Sequence, residues 1–208
     1  MIIRNVCNTD ATAIANIYNE YVTGTTVSFE LEPVTVEEMS KRIIEISASF
    51  PYFVCEDKGN VVGFCYAHRW KERKAYENTL ETTVYISRSH HGHGVGRQLM
   101  ERLIDACRTK GCHALIACIT GDNEPSINFH ERLGFTKVSH FKQVGRKFGR
   151  WPNAMTANER NQNRHRHINC GVCLFRLRHT SSSVRQAAVF APPPFTPTLY
   201  ACKHLLAA

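Results

Sequence analysis

Between a run of β-branched and aromatic residues and a helical pattern lies "HHGHGVG", residues 90–96, with three histidines and three glycines. Upstream, "LETTVYIS" (80–87) has the composition of a strand. Downstream, Val95, Leu99, Leu103 and Ala106 recur at helical spacing, and Lys110-Gly111 supplies a basic last turn and a C-cap. The glycines therefore stand at a helix N-terminus. There the first N–H groups lack intrahelical partners and the helix dipole is positive. Gly92, Gly94 and Gly96 let the backbone approach an anion without Cβ interference. The segment reads as a pyrophosphate cradle, although a strand-to-helix packing turn can use the same glycines.

Other phosphate loops and a metal site fit less well. No Gly-Lys-Ser/Thr closes the loop, and its spacing is G-x-G-x-G, not the G-x-G-x-x-G of dinucleotide folds. His90, His91 and His93 are adjacent, with no cysteine or carboxylate at ligand spacing, whereas a structural zinc site needs four ligands.

The rest of residues 1–151 alternates β and α patterns. "IIRNV" opens as a strand. "DATAIANIYNEYV" puts Ile14, Ile17, Tyr18 and Tyr21 on one helical face. "TVEEMSKRIIEIS" begins with a capping box, Thr35 and Glu38, and continues with Met39, Ile43 and Ile46. Residues 52–70 form a hairpin turning at Lys58-Gly59-Asn60. "HALIACI" (113–119) is a buried strand, "EPSINFHERLGF" a short helix closed by Gly134, and "TKVSHFKQVG" a late strand. The order predicts an α/β fold with a mixed central sheet flanked by helices.

These residues carry a family likeness. "HGHGVGRQLM" resembles the acyl-CoA pyrophosphate loop of GNAT N-acetyltransferases, and "DNEPSINFHERLGF" resembles their second CoA motif. "IYNEYV", "SFELEPVTVEEM", "RKAYENTLETTVYIS" and "QVGRKFGRW" resemble the phosphinothricin and methionine sulfoximine acetyltransferase subfamily. The likeness spans residues 1–151. One departure is His91, where the family usually has Gln or Arg.

The resemblance implies acetyl-CoA as co-substrate, no metal, a small-molecule amine as acceptor and a homodimer. A free α-amino group has a pKa near ~8, so a base must remove its proton. The resemblance puts Glu81 at the proposed base position, with an ordinary strand-edge carboxylate as the alternative, and His130 near the thioester sulfur. It implies CoA contacts from Val84, Tyr85 and Ile86 through their backbone, from His91, Gly92, His93, Gly94, Val95, Gly96 and Arg97 in the loop, and from Asn123 and Ser126 at the pantetheine arm. Two strands are expected to splay after residue 84, and one freed N–H would stabilise the developing oxyanion. Phe29 would wall the acceptor site, with Arg73, Lys74, Ala75 and Tyr76 facing an anionic group; a solvated basic loop is the alternative for this segment. Cys118 reads as a small buried hydrophobe.

The family pattern breaks after Trp151. Pro152 removes a ladder donor and the alternation of apolar residues is lost. Of the 26 basic residues, seven fall in 152–208 against one acid, Glu159, so most of the net charge of +8 lies there. With "SSS" and "APPPFTP", residues 152–208 are expected to be a basic, low-order tail, either a divergent extension or a reading-frame product. Cys170 and Cys173, with His165, His167 and His179, lack a second ligand pair and do not complete a zinc site. Aromatics are not interleaved with the tail's basic residues, which argues against nucleic acid.

Nine irregularly spaced cysteines and no signal peptide point to the cytoplasm, and no apolar run is long enough for a membrane span. Three functions remain: N-acetylation of a small amino acid or analogue, N-terminal acetylation of peptides or proteins, and a degenerate domain that holds CoA without turnover.

Overall fold

The computed structural model describes residues 1–160. Seven strands form one mixed sheet in the order β1-β2-β3-β4-β5-β7-β6. The strands are β1 (Ile2–Asn5), β2 (Tyr52–Asp57), β3 (Asn60–Arg69), β4 (Thr79–Ile86), β5 (Ala114–Thr120), β6 (Thr136–Phe141) and β7 (Ala154–Arg160). The helices are α1 (Ala11–Gly24), α2 (Val36–Ser47), α3 (Val95–Thr109) and α4 (Glu124–Arg132). The expected α/β architecture is present.

Each face of the sheet has its own core. On one face α1 and α2 bury Ile14, Tyr18, Met39 and Ile43 against Tyr52, Val54, Phe64 and Tyr85. On the other, α3 buries Val95, Leu99, Met100 and Leu103 against Phe53, Cys65, Ala67 and Leu115. Burying each large apolar side chain contributes ~1.5–3 kcal/mol. The four fully covered residues of α3 therefore hold its N-terminus firmly in place.

Local chemistry sets the joints. Lys58 and Gly59 have φ of 49° and 81°, the two positive values that a two-residue type I′ hairpin needs between β2 and β3. Thr35 caps α2 by accepting from Glu38 N at 3.1 Å, so the hydroxyl half of the expected capping box forms. Arg4 joins β1 to the start of α1 with a fork onto Asp10, at 2.8 and 2.9 Å. Burial alone would raise the Asp10 carboxyl, but Arg4 and the Cys7 amide hold it below its usual value.

The feature that positions the site is a divergence. β4 and β5 are parallel neighbours from Thr79↔Ala114 to Thr82↔Ala117, and there their ladder stops. β4 stays paired with β3 as far as Ile86↔Gly63, and β5 stays paired with β7 as far as Thr120↔Ala154. Residues 83–86 and 118–120 thus present unpaired backbone edges to each other.

The chain corrects the expectation for its C-terminal part. Residues 154–160 are a full strand, inserted between β5 and β6. Alternation persists there, with Met155, Ala157 and Glu159 buried. It was hidden because one inward position is an acid and another a small alanine. Arg108 of α3 makes the acid tolerable, donating to Glu159 at 2.7 Å. The proposed boundary at 151/152 therefore falls too early. The edge strand at this end of the sheet is β6, where Val138 and Phe141 are exposed. Cys170, Cys173, His165, His167 and His179 lie outside the described residues. No helix among the described residues is long and apolar enough to cross a membrane.

Truncation after Trp151 would strip β7 from both neighbours and uncover two sheet edges. Met155 alone contributes ~2 kcal/mol of burial. Thermal unfolding of the truncated protein should show a midpoint lowered by at least about 10 °C, or a loss of soluble protein. An unchanged midpoint would mean that β7 adds nothing to the sheet.

Candidate active site

The divergence of β4 and β5 opens a cleft of about 790 Å³. Its walls are the two freed strand edges, the loop after β4, the first turn of α3 and the start of α4. Gly94 is the N-cap of α3 at φ 78°, with no side chain closing the helix end. A Cβ on Gly92 would meet nothing within 4 Å, and one on Gly94 would find only Gln98 Nε2, at 3.9 Å. Unpaired first-turn N–H groups, a positive helix end and empty space in front of them suit an anionic oxygen cluster. Gly96 has a different task. A Cβ there would press on the Phe129 ring at 3.4 Å, so this glycine lets α4 close the cleft.

His91 is held inward. Its Nε2 lies 2.7 Å from Tyr21 Oη, and the Tyr21 hydroxyl donates to Ile86 O. One arrangement satisfies all three atoms: His91 Nε2–H donates to Tyr21, whose own proton goes to Ile86. Burial pushes the Tyr21 phenol up to about 12, so it keeps that proton. The loop is thereby tied to the end of β4. Sequence periodicity had assigned Tyr21 to the core face of α1, and only the fold brings it to the cleft.

Glu81 lines the cleft where β4 and β5 begin to part. Burial raises its carboxyl above the usual value, while His68, Cys118 and Lys71 pull it back in part. A carboxylate made more basic by its surroundings is a better proton acceptor near neutral pH. Cys118 is not the buried filler expected of it, because it is exposed and faces Glu81 from β5. Desolvation, then Glu81, push its thiol upward, so it stays protonated and a poor nucleophile.

His130 reaches the cleft from α4. Nδ1 lies 2.8 Å from the Ser126 carbonyl, which can only accept, so the proton sits on Nδ1. Burial lowers this imidazole, with the Ser126 bond as partial offset. It is therefore neutral at pH 7 and offers an Nε2 lone pair. Asn123 caps α4 through Oδ1, accepting from Ser126 N at 3.3 Å, and keeps its amide hydrogens for other partners.

A family model described as an acetyltransferase (GNAT) domain matches residues 3–156. A phosphinothricin N-acetyltransferase of Streptomyces viridochromogenes is 36% identical over 149 residues, 72% of this chain and 81% of that protein. An L-methionine sulfoximine/L-methionine sulfone acetyltransferase of Salmonella typhimurium is 36% identical over 155 residues, 73% of this chain and 89% of its own. A solved phosphinothricin acetyltransferase from Sinorhizobium meliloti, in complex with acetyl-CoA, superimposes with a TM-score of 0.74 at 32% identity, covering 76% of this chain and 87% of that one.

This chain belongs to the GNAT acetyltransferase family.

The cleft of this GNAT domain gathers many of the residues expected from sequence. Glu81, Val84, Tyr85, Ile86, His91, Gly92, Gly94, Val95, Gly96, Arg97, Asn123, Ser126 and His130 all line it. His93 does not line it, and its ring lies 6.3 Å from that of His90. Arg73, Lys74, Ala75 and Tyr76 are not in the lining either. They form an exposed turn just before β4. Phe29 packs against Gly145 rather than into the cleft.

One group escaped the sequence reading. Phe148 and Gly149, at φ 51° and 73°, turn the chain back so that Lys147 and Arg150 pair. Lys147 is buried and donates to Ser28 O at 2.7 Å, which ties the 142–150 loop to the "SFE" segment. Burial lowers this ammonium, and Glu30 nearby supports its charge.

Gly94→Val places a β-branched residue at positive φ and a side chain in the cradle, a strain of about 1–3 kcal/mol before any clash with ligand. Calorimetry with CoA should show affinity reduced by well over about tenfold, with the melting temperature only slightly lowered. Unchanged affinity would remove the cradle from the site.

Proposed function

We propose that this GNAT domain transfers acetyl from acetyl-CoA to the amine of a small amino acid or analogue of the phosphinothricin and methionine sulfoximine kind. The observation that carries the reading is a carboxylate of raised basicity, Glu81, where the two freed strand edges begin, in the same cleft as an open helix N-terminus. The names of the relatives support the acceptor class.

The first turn of α3 and the glycines at 92 and 94 hold the pyrophosphate. The freed edges at 83–86 and 118–120 supply N–H and C=O partners for the pantetheine amides, less Ile86 O, which Tyr21 already uses. Asn123 and Ser126 line the arm's path. Glu81 accepts one proton from the acceptor's ammonium, and the freed amine attacks the thioester carbonyl directly. Collapse of the tetrahedral intermediate breaks the C–S bond, the electron pair leaves on sulfur as the CoA thiolate, and the nitrogen's second proton ends on that sulfur. His130, neutral with a free Nε2, is suited to accept that proton and pass it on. No enzyme nucleophile is required, and the raised Cys118 thiol is unsuited to be one. Arg73 and Tyr76, exposed before β4, are available to an acceptor carboxylate or phosphinate. The chain acts in the cytoplasm as a homodimer in this reading.

A thiol-release assay over amino acids, their analogues and short peptides tests the function. Turnover should favour methionine sulfoximine or phosphinothricin over peptides; the reverse order would assign peptide N-termini. Glu81→Gln keeps the shape and removes proton acceptance, so kcat should fall by about 10²–10⁴-fold with CoA affinity unchanged. In the wild type, Glu81 must be ionised to act, and burial raises its pKa. Activity should therefore be lost, as pH falls, at a higher pH than an ordinary carboxylate would give. Full activity of the Gln variant near neutral pH would make Glu81 structural.

A further inference from the structure

Among the described residues three buried side-chain atoms lack a partner, His68 Nε2, Thr83 Oγ1 and Thr120 Oγ1, and His68, just outside the cleft lining, is the one set across from Glu81. His68 stands directly opposite Glu81 in the antiparallel β3–β4 ladder. Opposite residues share a face, with Cβ atoms about 4.5–5.5 Å apart. The His68 ring lies 5.8 Å from that of Tyr66, two residues earlier on the same face. Its Nδ1 is 3.1 Å from the Arg69 carbonyl, which can only accept, so Nδ1 carries the proton. Nε2 is then a lone pair. It is buried and has no partner among the described residues. Such atoms are few in folded proteins, and each calls for a partner or a task.

We propose that His68 Nε2 and the Glu81 carboxylate together form the acceptor's amine subsite, with His68 the contact that aims the nitrogen. The inference rests on the acetyltransferase reading above. No hydrogen bond joins Nε2 to Glu81, so a group between them must donate to both. A primary ammonium has three N–H donors. A hydroxyl has one and would leave either Nε2 or the carboxylate unmet. Glu81 takes one proton from the ammonium. His68 keeps a hydrogen bond from a second N–H and remains neutral throughout, which turns the nitrogen lone pair toward the thioester.

The test is steady-state kinetics with L-methionine sulfoximine as acceptor. His68→Ala should raise the acceptor KM about tenfold and leave the acetyl-CoA KM unchanged. His68→Gln, whose amide oxygen can still accept, should restore the acceptor KM. An unchanged acceptor KM in the Ala variant, a parallel rise in acetyl-CoA KM, or a Gln variant as impaired as the Ala one would overturn the proposal. Should either variant fail to fold, nitrogen NMR of histidine-labelled wild type decides. Adding L-methionine sulfoximine with CoA present should move the His68 Nε2 resonance, and an unmoved resonance refutes the contact. A wild type that acetylates no amino acid at all would sink the parent reading. Turnover that is indifferent to His68 would sink only this inference.

Discussion

The structure depends on the place where two parallel strands stop pairing. β4 and β5 share four residue pairs and then separate. Buried backbone N–H and C=O groups are costly to leave unpaired, so such a gap persists only where its strands are held from outside or a ligand completes it. Here β3 holds β4 to its end and β7 holds β5 to its end. The central sheet can therefore open in the middle without fraying. β7 matters to the site for this reason, although it contributes no residue to the cleft lining.

The cleft combines two opposite electrical demands. Its outer part offers a helix N-terminus and unpaired amides to an anion. Its inner part holds a half-buried carboxylate made more basic by burial. The carboxylate lies on the face that carries Tyr66, His68 and Tyr85, beside α1 and α2, whereas α3 packs on the opposite face. One sheet thus keeps an open helix N-terminus and a carboxylate of raised basicity apart while giving both access to the same opening. The tie from His91 through Tyr21 to Ile86 fixes the loop between them. An imidazole held in that tie serves as scaffold, where a longer cationic side chain could have reached the ligand.

How far the sequence could be read depended on whether a residue's partner was local. The Gly-rich loop, the N-cap at Thr35 and the Lys58-Gly59 turn are decided by a few neighbouring residues, and all could be placed from the chain alone. Glu81, Asn123 and His130 were found by family likeness, and the fold brings them to one cleft. β7 was missed because "AMTANER" puts an acid at a buried position, and the arginine that neutralises it is 51 residues away. His68 was invisible for a similar reason. Nothing near it in sequence shows that the register will set it across from Glu81. Tyr21 and Lys147 were hidden in the same manner, by partners on distant segments.

If acetyl-CoA completes the gap between β4 and β5, the freed backbone groups there gain hydrogen-bond partners. Amide hydrogen exchange with and without acetyl-CoA reads those groups directly. Strong new protection is expected at residues 83–86, at 118–120 and in the first turn of α3, with little change in β1 and β2. Protection that leaves residues 83–86 and 118–120 exchanging as before would contradict it, whatever the affinity measured.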